Sequence, residues 1–269
     1  MTHPSIDPIR PQVPAVRRSM FAWMRQLVGS VLFYLGMWIS VLIYAPPMLL
    51  TFLLPFPARF YLISRWSVLQ LWMLKVFCGI RHEVHGRENI PRGPAVIMAK
   101  HQSTWETLAF ALIFPPQTWV LKRDLMWVPL FGWALALLKP IAIDRGSKRA
   151  AVQQVIAQGR ERLQEGIWII VFPEGTRMSP GEHRRWGRSG AALAAAAGVP
   201  VVPVAHNAGH YWRRRRFLKD PGTIQAYIGP AIEPRGRSDE EILNQAEQWV
   251  ANVMARLEGK ALTERRESC

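Results

Sequence analysis

AVIMAKHQSTWETLAFALIF (residues 95–114) holds a short apolar run, a polar knot and a second apolar run. The knot gathers a lysine, a histidine, two hydroxyls and a carboxylate between segments destined for a core. His101 and Glu106 are five apart. On one continuous helix that offset separates side chains by roughly 140°, at about 100° per residue. The two meet only if the chain turns from a strand end into a helix start between them.

Outward from this stretch the pattern repeats. Short apolar runs recur at TWVLK (118–122), IWIIVF (167–172), VPVVPVA (199–205) and TIQAYIG (223–229). Helical stretches separate them, the clearest being SKRAAVQQVIAQGRERLQEG (147–166). Strands alternating with helices of this length predict an α/β fold, a mostly parallel sheet flanked by helices. Ser238 to Glu241 forms a capping box that opens a last helix running up to Gly259. The reading divides the chain into an unstructured basic segment (1–25), a membrane-anchoring part (26–84), a catalytic domain (85–258) and a polar tail (259–269).

The anchor follows from residues 26–58, which contain no charged residue. The part before Pro46 already suffices to cross a hydrocarbon layer of about 30 Å at about 1.5 Å per residue. A cleaved signal peptide fits poorly, because the run starts deep, is long, and meets Pro46-Pro47 where small residues are needed. Basic residues flank the run on both sides, so they do not orient it. A single span and a hairpin broken at the double proline both fit. Residues 58–81, aromatic with sparse charges, read as a helix at the membrane interface or in the core.

Among 269 residues, 34 Lys and Arg against 19 acids leave a net charge of +15, which favours an anionic partner. The apolar N-terminal third makes that partner a membrane surface rather than nucleic acid, for which no motif appears. Cys78 and Cys269 make neither a disulfide framework nor a zinc site.

In α/β sheets ligands gather at the carboxyl ends of strands. KHQSTWE, AIDRG with Asp144 and Arg145, FPEGTR (172–177) and AHNAG (205–209) each follow an expected strand, which suggests one site. If the helix starts near Ser103 or Thr104, Glu106 can orient His101 as a general base for a hydroxyl. Ser103-x-x-Glu106 also matches a capping box, so Glu106 has a purely structural alternative. Arg177 can grip a phosphate through paired hydrogen bonds, with Arg145 adding a second guanidinium. Glu174 either positions an arginine or binds a substrate hydroxyl.

His101-x4-Glu106, then IDR, then FPEGTR, then VPV before AHNAG, in this order, resembles the glycerolipid acyltransferase family, and within it the bacterial 1-acyl-sn-glycerol-3-phosphate acyltransferase branch. The resemblance spans residues 70–230. That family more often has Asn before the histidine and Asp as the acid, where this chain has Lys100 and Glu106. The resemblance implies His101 as the base and Glu106 as its orienting acid. It assigns Arg145, Glu174, Gly175, Thr176 and Arg177 to the phosphate and glycerol of the acceptor, gives Lys122 an assisting place and makes Pro203 a shaping residue. It further implies acyl transfer from acyl-CoA or acyl carrier protein to the sn-2 hydroxyl of lysophosphatidic acid, at the cytoplasmic face of a bacterial inner membrane. No cofactor or metal is expected, because a thioester is already activated and a base, an oxyanion donor and alignment suffice. Rival readings are an acyltransferase for another lysolipid such as lyso-ornithine lipid, a lipid hydrolase, and a non-enzymatic basic membrane-binding protein using the arginines at 213–216.

Overall fold

The computed structural model describes residues 19–144 and 148–259. Most of the expected unstructured segment, residues 1–18, and all of 260–269 lie outside them. Residues 20–25 do not belong with that segment. Helix α1 (Met20–Leu49) begins six residues before the uncharged run, because the Ser19 hydroxyl caps it by accepting from the Ala22 N–H (3.2 Å).

α1 runs through Pro46 and Pro47. In its last turn these prolines remove two backbone donors and bring the helix to its end, but the reversal itself falls later. A 3₁₀ turn (Leu50–Leu53) and Pro55 redirect the chain into α2 (Phe56–Cys78). The return arm is therefore residues 56–78, the segment read as an interfacial or core helix, and the N-terminal element is a helical hairpin rather than a lone span. Polar pins fix its register. Trp66 Nε1 and Gln70 Nε2 both donate to Ser40 Oγ (3.1 and 2.9 Å), and the Tyr44 hydroxyl donates to Leu62 O (2.6 Å). Gly29 lets the arms touch, since a Cβ there would lie 2.0 Å from Phe77 O. Among the described residues, one helical run, Met20–Leu53, is long and apolar enough to cross a membrane. Its outward face exposes Trp23, Leu35, Trp38 and Ile43.

The domain behind the hairpin is a seven-stranded sheet. Its strands are β1 (Ile80–His85), β2 (Val96–Ala99), β3 (Gln117–Lys122), β4 (Ile141–Ile143), β5 (Trp168–Val171), β6 (Val201–His206) and β7 (Gly222–Ile228), in the order β1-β7-β6-β2-β5-β3-β4. Every pairing is parallel except β6 with β7. β2 and β5 are apolar at every position because both faces are covered. Ile97 and Ile170 join one core layer with Phe33 and Leu74 of the hairpin and Phe110 of α3 (Trp105–Ile113). Val96, Met98 and Ile169 join the other, under α5 (Lys148–Gln164), α6 (Ser189–Ala197) and α8 (Asp239–Leu257). Beyond the short helix α7 (Ala208–Tyr211), the expected capping box at Ser238 and Glu241 opens α8. β1 escapes the apolar-run reading because it is an edge strand with exposed Arg81, His82 and Glu83. The boundary drawn at 84–85 thus cuts through a strand of the sheet.

Hairpin and sheet are bolted together at the loop before β7. Lys219 N donates to Ser30 Oγ (3.1 Å), while Gln26 Nε2 donates to Lys219 O and Asp220 Oδ1 (2.6 and 2.7 Å). The Lys219 ammonium is buried against the rings of Tyr34 (3.5 Å), Phe33 (4.8 Å) and Trp212 (5.0 Å). Burial pulls this amine from its ordinary 10.5 down to about 8. The folded protein therefore releases a proton near pH 8 that the unfolded chain keeps until about 10.5, so stability rises with pH across that window. Against a Lys219→Met variant, wild type should gain roughly 3 kcal/mol between pH 8 and 10.5. Denaturant melts of both proteins at several pH values measure it; a pH-independent difference contradicts it.

Candidate active site

Because β2, β3, β4, β5 and β6 run parallel, their carboxyl ends share one edge of the sheet. The polar knot after β2 leaves that edge and enters α3 at Trp105. Between strand and helix the chain turns enough for His101 Nδ1–H to donate to Glu106 Oε1 at 2.8 Å. The same oxygen accepts from the backbone N–H groups of Gln102 (2.8 Å) and Ser103 (2.7 Å). Glu106 therefore orients the ring and caps the turn at once; the two readings of it are not exclusive. It is fully buried. Burial alone would push it upward, but His206, His101 and the Ser103 N–H hold its carboxyl below the usual range, so it stays ionised at neutral pH.

The hydrogen bond to Glu106 uses Nδ1 and leaves Nε2 with its lone pair. The ring stacks on Phe172 (centroids 4.1 Å, 13°) and lines a cavity of about 480 Å³. Thr104, Gly175 and Arg177 share that chamber with it. Beyond them the walls turn apolar, with Met37 and Val41 of α1, Ile63 of α2, Leu108 of α3 and Leu135 of α4 (Phe131–Ala136). A polar end holding an imidazole and a guanidinium opens into an oily slot between hairpin and domain.

Lys122 lines the same chamber from the end of β3, with its ammonium ion-paired to Asp124. Gly175 holds a left-handed backbone (φ 69°) with open space where a Cβ would stand, so its requirement is conformational. Thr176 and Glu174 do not line the chamber. Arg145 lies outside the described residues; Asp144 before it is exposed at the same sheet edge.

Glu174 differs from expectation. Among the described residues it pairs with a lysine rather than an arginine, and it does not line the cavity. Its Oε1 is ion-paired with buried Lys100, and its Oε2 accepts from the His101 backbone N–H (2.9 Å). Burial pushes this carboxyl upward against the pull of Lys100. A residue read as a substrate ligand is thus a brace for the histidine. Lys100 also donates to Glu182 O (3.2 Å), and Met178 N donates to His101 O (2.7 Å). The loop after β5 is thus laced to Lys100 and to His101 itself.

His206 was legible only as part of a polar cluster. It is wholly buried at the end of β6, donates from Nε2 to Lys100 O (2.8 Å) and accepts at Nδ1 from Ala208 N–H (3.3 Å). Burial pulls it below the ordinary histidine range against the opposing pull of Glu106. Its Nε2 lies 3.9 Å from Glu106 Oε2.

A family model described as Acyltransferase matches residues 81–207. The 1-acyl-sn-glycerol-3-phosphate acyltransferase of Pseudomonas aeruginosa is 47% identical over 237 residues, covering 86% of this chain and 92% of that one. The 1-acyl-sn-glycerol-3-phosphate acyltransferase alpha of Mus musculus is 28% identical over 186 residues, 67% of this chain and 65% of that one. The crystal structure of the 1-acyl-sn-glycerophosphate acyltransferase of Thermotoga maritima matches with a TM-score of 0.73 at 24% identity, over 92% of this chain and 99% of that one, a likeness of fold.

The Lys100–Glu174 pair yields a stability prediction. Lys100→Met strands a buried carboxylate and should cost about 3–5 kcal/mol, most of it recovered by adding Glu174→Gln. Chemical denaturation of the single and double variants measures this. A double variant no better than the single contradicts the pairing.

Proposed function

The chain belongs to the 1-acyl-sn-glycerol-3-phosphate acyltransferase family, and from that membership we propose that it moves a fatty acyl group from a thioester donor to the sn-2 hydroxyl of lysophosphatidic acid, giving phosphatidic acid. What supports the chemistry is one observation: an imidazole tied through Nδ1 to a buried carboxylate, on a residue that lines a cavity shared with Arg177.

In this reading His101 Nε2 takes the proton from the sn-2 hydroxyl as its oxygen attacks the thioester carbonyl. A C–O bond forms, the C–S bond breaks, and the proton passes from the imidazolium to the leaving thiolate. Glu106 stabilises the transient imidazolium, and a base so placed supplies typically about 10²–10⁴-fold. Arg177 holds the acceptor phosphate, a task in which the family resemblance gives Arg145 a share, each charge-assisted hydrogen bond contributing roughly 1.5–3 kcal/mol. Gly175 and Thr176 shape that grip, and Lys122, which lines the same chamber, assists. Because the thioester is already activated, neither metal nor cofactor enters the proposal.

The acyl chain is as well sheltered in a bilayer as in a protein slot, so extraction into water would cost about 0.8 kcal/mol per CH₂. An enzyme lying in the membrane with an apolar slot avoids that cost. We therefore read the hairpin as the membrane anchor, with lipids as its surroundings and the domain on the cytoplasmic face of a bacterial inner membrane. Acyl-CoA or acyl carrier protein serves as donor.

Detergent-solubilised protein given lysophosphatidic acid and oleoyl-CoA should yield phosphatidic acid, identified by mass. His101→Ala should abolish the product, and Glu106→Gln should lower kcat by about 10²–10⁴-fold. Release of free fatty acid in place of phosphatidic acid, or full activity in Glu106→Gln, contradicts the reading.

A further inference from the structure

A second cavity, of about 400 Å³, adjoins the chamber of His101 and shares Met37, Thr104 and Arg177 with it. Its outer wall is the run Arg213–Arg216, followed by Phe217. Five guanidiniums thus border one space. Among the described residues the ion pair of this run is Arg213 to Asp220 (3.6 Å). A cluster of like charges is costly in the absence of an anion, and its complement is more negative charge than one phosphate monoester carries.

The run is displayed on a fixed support. Trp212 before it is buried, and Lys219 and Asp220 after it are buried and bonded to α1. Phe217 stacks on Tyr34 (5.0 Å). Arg214 Nη1 donates to Arg177 O (2.9 Å), joining the run to the end of the FPEGTR loop. Arg215 holds a left-handed backbone (φ 58°), uncommon for such a side chain and imposed here by the packed flanks. The exposed arginines therefore stand at a set distance from the base.

Distance decides which phosphate they meet. In lysophosphatidic acid only a few covalent bonds separate the sn-2 oxygen from phosphorus, so that phosphate must sit near His101, where Arg177 is. In a thioester donor the whole pantetheine arm separates the reacting carbonyl from the first phosphate. The geometry points to the loop 213–217 as a second phosphate subsite. We propose that Arg214, Arg215 and Arg216 bind the phosphate borne on the pantetheine arm of the acyl donor, an inference that rests on the acyl-transfer reading above. Coenzyme A and carrier protein share that group.

The test compares oleoyl-CoA, oleoyl-carrier protein and S-oleoylpantetheine, which lacks phosphate, in neutral detergent micelles. In wild type the phosphorylated donors should have the lower KM. In R214Q/R215Q/R216Q the KM for oleoyl-CoA should rise about tenfold or more, collapsing its advantage over S-oleoylpantetheine, with the KM for lysophosphatidic acid unmoved. A parallel rise for oleoyl-carrier protein assigns the loop to the shared phosphate. Inorganic pyrophosphate should also inhibit wild type competitively against oleoyl-CoA, a measurement independent of any variant's folding. The subsite is overturned if the KM ratio survives the triple substitution, if the KM for lysophosphatidic acid rises with every donor, or if pyrophosphate competes with the acceptor instead. A wild-type protein that makes no phosphatidic acid from any donor overturns the acyl-transfer reading itself.

Discussion

One oxygen, Glu106 Oε1, accepts three hydrogen bonds at the junction of β2 and α3, and the site is organised around it. Two come from the backbone of the turn and one from the imidazole. The carboxylate closes the strand-to-helix turn and fixes the ring with the same atom. Buried charge is expensive unless satisfied by hydrogen bonds, and here the donors that satisfy it set the chemistry. A ring free to rotate, or protonated at Nε2, could not accept a proton at that nitrogen from a substrate.

A second layer keeps that turn in place. Lys100 and Glu174 form a buried pair directly behind His101, and the second oxygen of Glu174 takes the His101 backbone N–H. His206 holds the Lys100 carbonyl from the neighbouring strand. Three parallel strand ends are thereby tied to one another through side chains, not only through the sheet ladder. The hairpin supplies the last wall. Met37 of α1 borders both cavities, so the apolar hairpin and the edge of the sheet that carries His101 form one structure, and the loop bolted through Lys219 carries this continuity to the arginines.

Much of this was legible in the sequence. Runs such as AVIMA and IWIIVF identify buried strands because both their faces are covered, and Ser238 with Glu241 announces α8. β1 was hidden because an edge strand with Arg81, His82 and Glu83 lacks an apolar run. The prolines at 46 and 47 pointed to the wrong turn, since a helix tolerates them in its final turn and reverses afterwards. His101, Glu106 and Arg177 stand out by their positions after expected strands, Gly175 and Lys122 through the family resemblance, and all five border or support one chamber. A carboxylate in a loop of glycine and arginine suggests a substrate ligand or a partner for an arginine; nothing in that loop points to Lys100, which Glu174 meets across 74 residues. His206 gave no signal beyond its cluster, for its role depends on a carbonyl contributed by another strand.

The account turns on which nitrogen of His101 carries the proton. A ¹⁵N NMR spectrum of micelle-bound protein labelled at its seven histidines, assigned by loss of one signal in a His101 variant, reads this directly. For the neutral ring, the hydrogen bond to Glu106 predicts a single tautomer, protonated at Nδ1, with an unprotonated Nε2. A ring protonated at Nε2, or an averaged signal from both tautomers, would contradict it.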